Sequence, residues 1–366
     1  MPYPLADVPT PALLVDLDRV DANVARAQAY ADANDVALRP HTKTHKSPRF
    51  AQQQLHAGAR GVCVAKLGEA ELMVDSGIGD VFMPHTIATS DKAARAVALA
   101  QRARFAIGAD HPRQLEVLSA AAAGRGRALD VMIEVDTGSG RGGADPEAVQ
   151  SLLTQLRDLP GLRARGLYTY EGYTYAAGDV ASLRSRHHEA QGVMARLAER
   201  VADLLVDHPE ISMGSTPSLL AQVPLLPTIT EVRPGTSIFL DAAQATIGGE
   251  ADWCAAHVLA TVVSVQSGRA VLDAGSKALT SDTRPDGVAA SPGFGRLVDH
   301  DLTITSLSEE HGVIRDGRAD RLEVGARVRV LMNHVCPVVN LFSHMHLVRG
   351  GEVVEVLEVA GRGRVV

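Results

Sequence analysis

The chain is short of cysteine, of positive charge and of long apolar runs, and each shortage excludes something. Three cysteines in 366 residues, Cys63, Cys254 and Cys336, are odd in number and far apart. They make no disulfide framework, so a reducing cytoplasm is expected. The formal net charge of −7 supplies no basic surface of the kind that nucleic-acid binding needs. No apolar run is long enough to cross a bilayer. The opening Met1-Pro2-Tyr3-Pro4 lacks the basic-then-apolar pattern of a secretory signal. No Gly-x-Gly-x-x-Gly follows the first strand-like run, which counts against an open dinucleotide-binding sheet.

What is present is alternation. Thr10–Leu17 reads as a strand, and Asp18 offers an N-cap for an Ala-rich helix running to about Asn34. Eight short apolar runs then alternate with amphipathic helical patterns, at 36–39, 61–65, 80–83, 104–107, 129–135, 164–169, 210–213 and 229–232. Eight βα repeats predict a closed parallel (β/α)8 barrel of TIM type. After Phe239 helical periodicity stops, and strand-like runs with Gly turns follow at 258–265, 270–273, 302–307 and 328–332. His346–Arg349 and Glu352–Glu358, joined at Gly350-Gly351, read as a hairpin. The expected architecture is α/β: a barrel over residues 1–240, its first residues free to join the second part, then a β-rich domain over 241–366.

A βα barrel places its chemistry at the C-terminal ends of the strands. The first run leads into Arg39-Pro40-His41-Thr42-Lys43-Thr44-His45-Lys46, with Arg39, His41 and His45 framing Lys43 and Lys46 starting a helix. The second run is followed by Lys66, the third by Pro84-His85, and the fifth by the glycine-rich segment Asp136–Gly143, which contains Arg141. The sixth leads to Tyr170-Glu171-Gly172-Tyr173, the seventh to Gly214-Ser215-Thr216-Pro217 and the eighth to Arg233-Pro234-Gly235-Thr236. Backbone N–H groups of Gly-rich turns and helix N-termini bind phosphate, so this end suits a phosphorylated ligand. A lysine beside a phosphate cup suggests a Schiff-base cofactor, because nearby cations or burial make its amine nucleophilic. Pyridoxal phosphate needs such a lysine, a phosphate cup and a partner for its ring nitrogen.

A second cluster, Asn333-His334-Val335-Cys336-Pro337, follows the run at 328–332. If the strand continues, His334 and Cys336 face the same side and form half of a zinc site. His344 and His346 repeat the spacing and read as strand-surface residues; His187 and His188, in a polar helix, read as solvated. Cys63 and Cys254 read as core, and Glu309–Gly312 as a turn.

Pro40–Lys46, Glu134–Gly143, Val232–Gly235 and Asp273-Ala274-Gly275-Ser276-Lys277-Ala278 together resemble the D-threonine aldolase and D-serine dehydratase family. These are fold-type III pyridoxal phosphate enzymes, distantly similar to alanine racemase, and the resemblance runs from Thr10 to the last strands. It implies pyridoxal 5′-phosphate on Lys43 and Arg141 near the cofactor's phenolic oxygen. Gly214, Ser215, Thr216, Gly235 and Thr236 would bind the phosphate. The more distant similarity to alanine racemase puts Arg233 at the pyridine nitrogen. The resemblance also makes His334 and Cys336 ligands of a divalent metal, zinc before manganese or magnesium. Two protein ligands leave positions open, as in a catalytic site. Where many relatives carry a histidine after the sixth strand, this chain has Tyr170; an unperturbed tyrosine titrates near pH ~10, so that histidine's role as a base has no obvious holder. Tyr170 and Tyr173 are candidates for substrate or cofactor contact. The implied activity is retro-aldol cleavage of β-hydroxy-D-amino acids to glycine and an aldehyde. Dehydration of D-serine or D-threonine is the alternative on the same parts. An amino-acid racemase and a non-catalytic pyridoxal phosphate carrier rank lower. The second domain has no tyrosine, where the racemase fold keeps its second base. The expected partners are a small D-amino acid and a second copy of the chain.

Overall fold

The structure, a computed structural model, describes residues 2–284 and 286–366. The eight runs form eight parallel strands: Ala37–Leu38, Val62–Cys63, Asp80–Met83, Arg104–Ala109, Leu129–Glu134, Leu162–Tyr168, Glu210–Ser212 and Glu231–Val232. They pair in chain order. The eighth returns to the first through Glu231↔Ala37, and a parallel bridge His41↔Cys63 joins the first to the second, closing the barrel. Burial on both faces explains the unbroken apolar runs; all six residues of Leu129–Glu134 are buried. The helices between strands turn one apolar stripe inward, as Ala93, Ala96, Val97 and Ala100 do in Ser90–Arg102.

The strand expected over Thr10–Leu17 forms as Ala12–Asp16 and is not part of the barrel. It lies in the second sheet, parallel to His344–Arg349 on one side and antiparallel to Ala256–Gln266 on the other. The helix Leu17–Ala33 starts two residues earlier than the sequence suggests. Its cap is Asp16, not Asp18: the Asp16 carboxylate accepts the N–H groups of Asp18 and Arg19 at 3.0 and 3.1 Å. The second sheet ends in the expected hairpin, His344–Arg349 with Glu352–Glu358. Gly350 and Gly351 both adopt positive φ, 57° and 84°, as a two-residue turn requires. Among the described residues, no helix is long and apolar enough to cross a membrane.

Two members of the Arg39–Lys46 stretch leave the strand-end site. Arg39, 1 % exposed, points to the opposite end of the barrel. There its guanidinium meets Glu231 at 2.7 Å, Asp80 at 2.5 Å and Glu210 at 3.7 Å, each the first residue of its strand. Arg39 therefore closes the barrel floor instead of framing Lys43. His45 is buried with its ring edge-on to Phe50 and Phe239, at centroid distances of 5.8 and 6.4 Å. Lys46 does not start a helix as expected, since the helix begins at Pro48; its ammonium is buried against Glu69. Removing one partner of a buried charge network leaves the others uncompensated. Arg39→Met is thus expected to cost about 3–5 kcal/mol of unfolding free energy, read as a lower urea midpoint at unchanged slope.

Candidate active site

At the C-terminal end of the barrel a cavity of about 580 Å³ opens toward the second domain. Lys43, Arg141, Tyr170 and Arg233 line it from the barrel, and His334 and Cys336 from the β domain. The turns at Gly214–Thr216 and Gly235–Thr236 complete the wall.

Lys43 lies in the turn that follows the first barrel strand, with its Nζ 5.7 Å from the centre of the Tyr170 ring. His41 beside it is half-buried, and desolvation together with the charges of Lys43 and Arg233 holds it well below the usual imidazole range. It is therefore neutral at neutral pH. Arg141 places its guanidinium 4.6 Å from the centre of the same Tyr170 ring. Its loop is held by Asp136, whose carboxylate accepts N–H groups from Gly138, Ser139 and Gly140 at 2.9, 2.7 and 3.1 Å.

Arg233 is fixed more firmly. It donates to Thr169 O at 2.7 Å and to Ser212 Oγ. Ser212 donates in turn to Glu231 at 2.6 Å, and the other oxygen of Glu231 accepts from Arg39 Nε at 2.7 Å. A chain of charge-assisted hydrogen bonds thus runs from the barrel floor to the cavity and sets the plane of the Arg233 guanidinium.

The two glycine turns are built for close approach. Gly214 has φ 95°, and a Cβ there would lie 2.8 Å from Val232 Cγ1. Ser215 caps the short helix Thr216–Leu220, with Pro217 in its first turn as expected. Ser215 Oγ is buried with no hydrogen-bond partner among the described residues, which is what a phosphate oxygen would satisfy. Thr216 Oγ1 accepts the Ser237 N–H at 3.0 Å, so it ties the two turns together. Behind them Glu171 accepts the Gly214 N–H at 3.4 Å, and His187 Nε2 lies 3.5 Å from Glu171. His187 is fully buried, against the expectation that it is solvated. The signal was its place in the buried stripe Leu183, His187, Ala190, Met194 of the helix Val180–Arg200.

The His-x-Cys pair also differs from its expected form. The strand ends at Leu331, and His334 caps a helix, Val335–Leu341. Pro337 in that first turn favours a helix start and cannot serve a continuing strand. Strand alternation therefore does not bring His334 and Cys336 together; a helix N-terminus does. Cys336 Sγ reaches Thr44 Oγ1 at 3.2 Å, next to Lys43. Asp282 takes His334 Nδ1 at 2.8 Å, which leaves Nε2 for a metal. Burial disfavours a charged His334, but the hydrogen bond and charge of Cys336, with Asp241 and Asp282, raise it to about 9. No cluster of three or more metal-binding side chains occurs among the described residues. One imidazole and one thiol, braced by a carboxylate, fit a metal that keeps open positions, and these donors suit zinc.

Tyr173 does not line the cavity. It packs against Gly138, and its hydroxyl donates to Arg186 O at 3.5 Å, so it supports the Arg141 loop from outside. Sequence reasoning missed Tyr168, Tyr175, Glu134 and the loop residues Asp282 and Arg284. Tyr168 had a signal, since it ends a barrel strand; its hydroxyl lies 3.0 Å from Glu134. Asp282 and Arg284 had none, because no local pattern says that their loop folds over the barrel mouth. Cys63 and Cys254 are core residues, as expected, and burial pushes both thiols up to about 12.

The chain resembles known proteins over nearly its whole length. Residues 15–243 match the alanine racemase N-terminal domain, and residues 255–348 match a putative serine dehydratase domain. A D-threonine aldolase of Arthrobacter sp is 36 % identical over 98 % of this chain and 94 % of its own length. The D-threo-3-hydroxyaspartate dehydratase of Delftia sp. (strain HT23) is 33 % identical over 91 % of this chain and 92 % of its own. A dehydratase of that name has been solved as a cysteine-to-alanine mutant in the metal-free form, at TM-score 0.89 and 30 % identity, covering 97 % of this chain and 98 % of that one. The crystal structure of D-threonine aldolase from Filomicrobium marinum gives a TM-score of 0.90 at 31 % identity, covering 100 % of this chain and 99 % of that one.

Proposed function

Because the chain belongs to the D-threonine aldolase and D-serine dehydratase family of alanine racemase-like enzymes, we propose that it is a pyridoxal phosphate- and metal-dependent lyase of β-hydroxy-D-amino acids, acting as a D-threonine aldolase. The observation that carries this reading is the shared cavity. Lys43 enters from the barrel and His334 and Cys336 from the β domain, with Thr44 and Cys336 in contact at 3.2 Å.

When bound, pyridoxal phosphate supplies an electron sink at the substrate's α-carbon, and a divalent metal supplies a Lewis acid at its β-hydroxyl. The chain's own residues do the rest. Lys43 would hold the cofactor and, once released, would hold a proton at its amine. Ser215 Oγ and the N–H groups of the two turns that have no partner within the chain would hold the phosphate. Arg233, locked by Ser212 and Thr169, would face the ring nitrogen, and Arg141 the phenolic oxygen. His334 and Cys336 would hold the metal, zinc by donor type, with Asp282 fixing the imidazole. Tyr170 lies near both cations, its ring centre 5.7 Å from Lys43 Nζ and 4.6 Å from the Arg141 guanidinium.

Dehydration is the second reading, since the same pair would hold a departing oxygen equally well. Product analysis on D-threonine separates the two. The expected products are glycine and acetaldehyde in equal amounts; 2-oxobutyrate and ammonia without glycine would replace aldolase by dehydratase. A cytoplasmic homodimer completes the reading. A reducing setting is supported by three free cysteines, because Cys336 binds a metal only while reduced.

A further inference from the structure

Resting on the lyase reading, we infer that Arg284, on the β-domain loop over the barrel mouth, binds the carboxylate of the amino-acid substrate. The other cations of the cavity are already engaged. Arg233 donates to Thr169 and Ser212. Arg141 lies against Tyr170 with Glu134 4.0 Å away. Lys66 sits 2.9 Å from His85 Nε2 at the rim. Arg284 lines the same cavity and has no hydrogen-bond or ion-pair partner among the described residues, although it is half-buried. Its guanidinium is centred 4.7 Å from the Tyr175 ring, which orients the planar fork without using its donors.

The loop is rigidly placed. Asn333, next to His334, donates from one amide nitrogen toward three of its carbonyls, Asp282 at 3.1 Å, Ser291 at 3.3 Å and Gly293 at 2.7 Å. Arg284 bridges to Ser291 across the loop, and the Val288 N–H donates to Ala177 O of the barrel at 2.6 Å. Arg284 follows by two residues Asp282, the brace of His334. A substrate whose nitrogen meets the Lys43 side and whose β-oxygen meets the His334 side has its carboxylate as the remaining polar arm. Arg284 offers that arm a bidentate partner. Three fixed points on three substituents of one carbon also distinguish its two hands, so Arg284 becomes the residue that enforces the D configuration.

The test is a binding titration of the holoenzyme, followed by its visible absorbance. D-Alanine, which has no β-hydroxyl to cleave, is compared with D-alaninamide, which has no carboxylate. Arg284→Gln should weaken D-alanine about thirty-fold while changing D-alaninamide less than about two-fold, and Arg284→Lys should fall between. Equal losses for both ligands, or no loss for D-alanine, would overturn the assignment. So would a Lys66→Ala variant that removes the preference for D-alanine while Arg284→Gln keeps it. The titration reads binding without turnover, so its outcome is separate from whether D-threonine is cleaved, on which the lyase reading depends.

Discussion

Lys43→Ala is expected to lower turnover of D-threonine by about a thousand-fold or more and to abolish the visible band of lysine-linked pyridoxal phosphate. No neighbouring lysine can take its place. Lys46 is buried against Glu69, and Lys66 is held against His85 at the rim. The phosphate cup survives the substitution, because Ser215 and both glycine turns owe nothing to the Lys43 side chain. The variant should therefore still bind the free cofactor, with the absorbance of an unlinked aldehyde. Titration with pyridoxal phosphate and a glycine assay check both halves. A variant that retains the lysine-linked band would place the cofactor on another lysine and remove the basis of the site.

Metal removal should have the next largest effect. Among the described residues the site offers two ligands, so losing either leaves one donor, and activity is expected to fall about a hundred-fold or more for His334→Ala and Cys336→Ala. Dialysis against a chelator should give the same loss while the visible cofactor band remains, because Lys43 and the phosphate turns are separate from the metal pair. Adding back zinc, manganese or magnesium singly identifies the working metal. Asp282→Asn should act more mildly, lowering metal affinity by about ten- to a hundred-fold, since it alters the orientation of His334 without removing a ligand. Full activity toward β-hydroxy-D-amino acids after complete demetallation would sink the metal-assisted reading.

The barrel was legible because its strands are buried on both faces, which writes each one as a compact apolar run. The rule that chemistry follows those runs picked out Lys43, Arg141, Arg233 and the turns at Gly214 and Gly235, all of which line one cavity. What the rule could not show was direction. Arg39 and Lys43 are four residues apart, yet they serve opposite ends of the barrel: Arg39, just past the strand Ala37–Leu38, turns its side chain back to the first residues of three other strands, while Lys43 lies in the turn beyond. Tyr170 and Tyr173 looked equivalent in sequence. The 3-10 turn Gly172–Ala176 aims Tyr173 away from the cavity and leaves Tyr175 within it. His334 and Cys336 were found as a pair with the wrong local geometry, since a strand and a helix start both put them within reach of one ion. Asp282 and Arg284 depend on a loop docking across two domains, and no local pattern encodes that.

The place of the strand Ala12–Asp16 has a mechanical consequence. Because Ala12–Asp16 belongs to the second sheet, the polypeptide crosses between the domains twice, once after Asp16 and again before Ala256. The crossings lie side by side, with the Asp16 N–H donating to Ala255 O at 2.8 Å. They form the spine of a book whose covers are the barrel and the β domain. The last residues act as a clasp: the Gly361 N–H donates to Lys46 O at 2.8 Å and the Gly68 N–H to Val366 O at 3.0 Å. With spine and clasp both joined, parting the covers breaks contacts at two separate places. The route for substrate then runs through the rim, past the loops that carry Arg141, Tyr175 and Arg284.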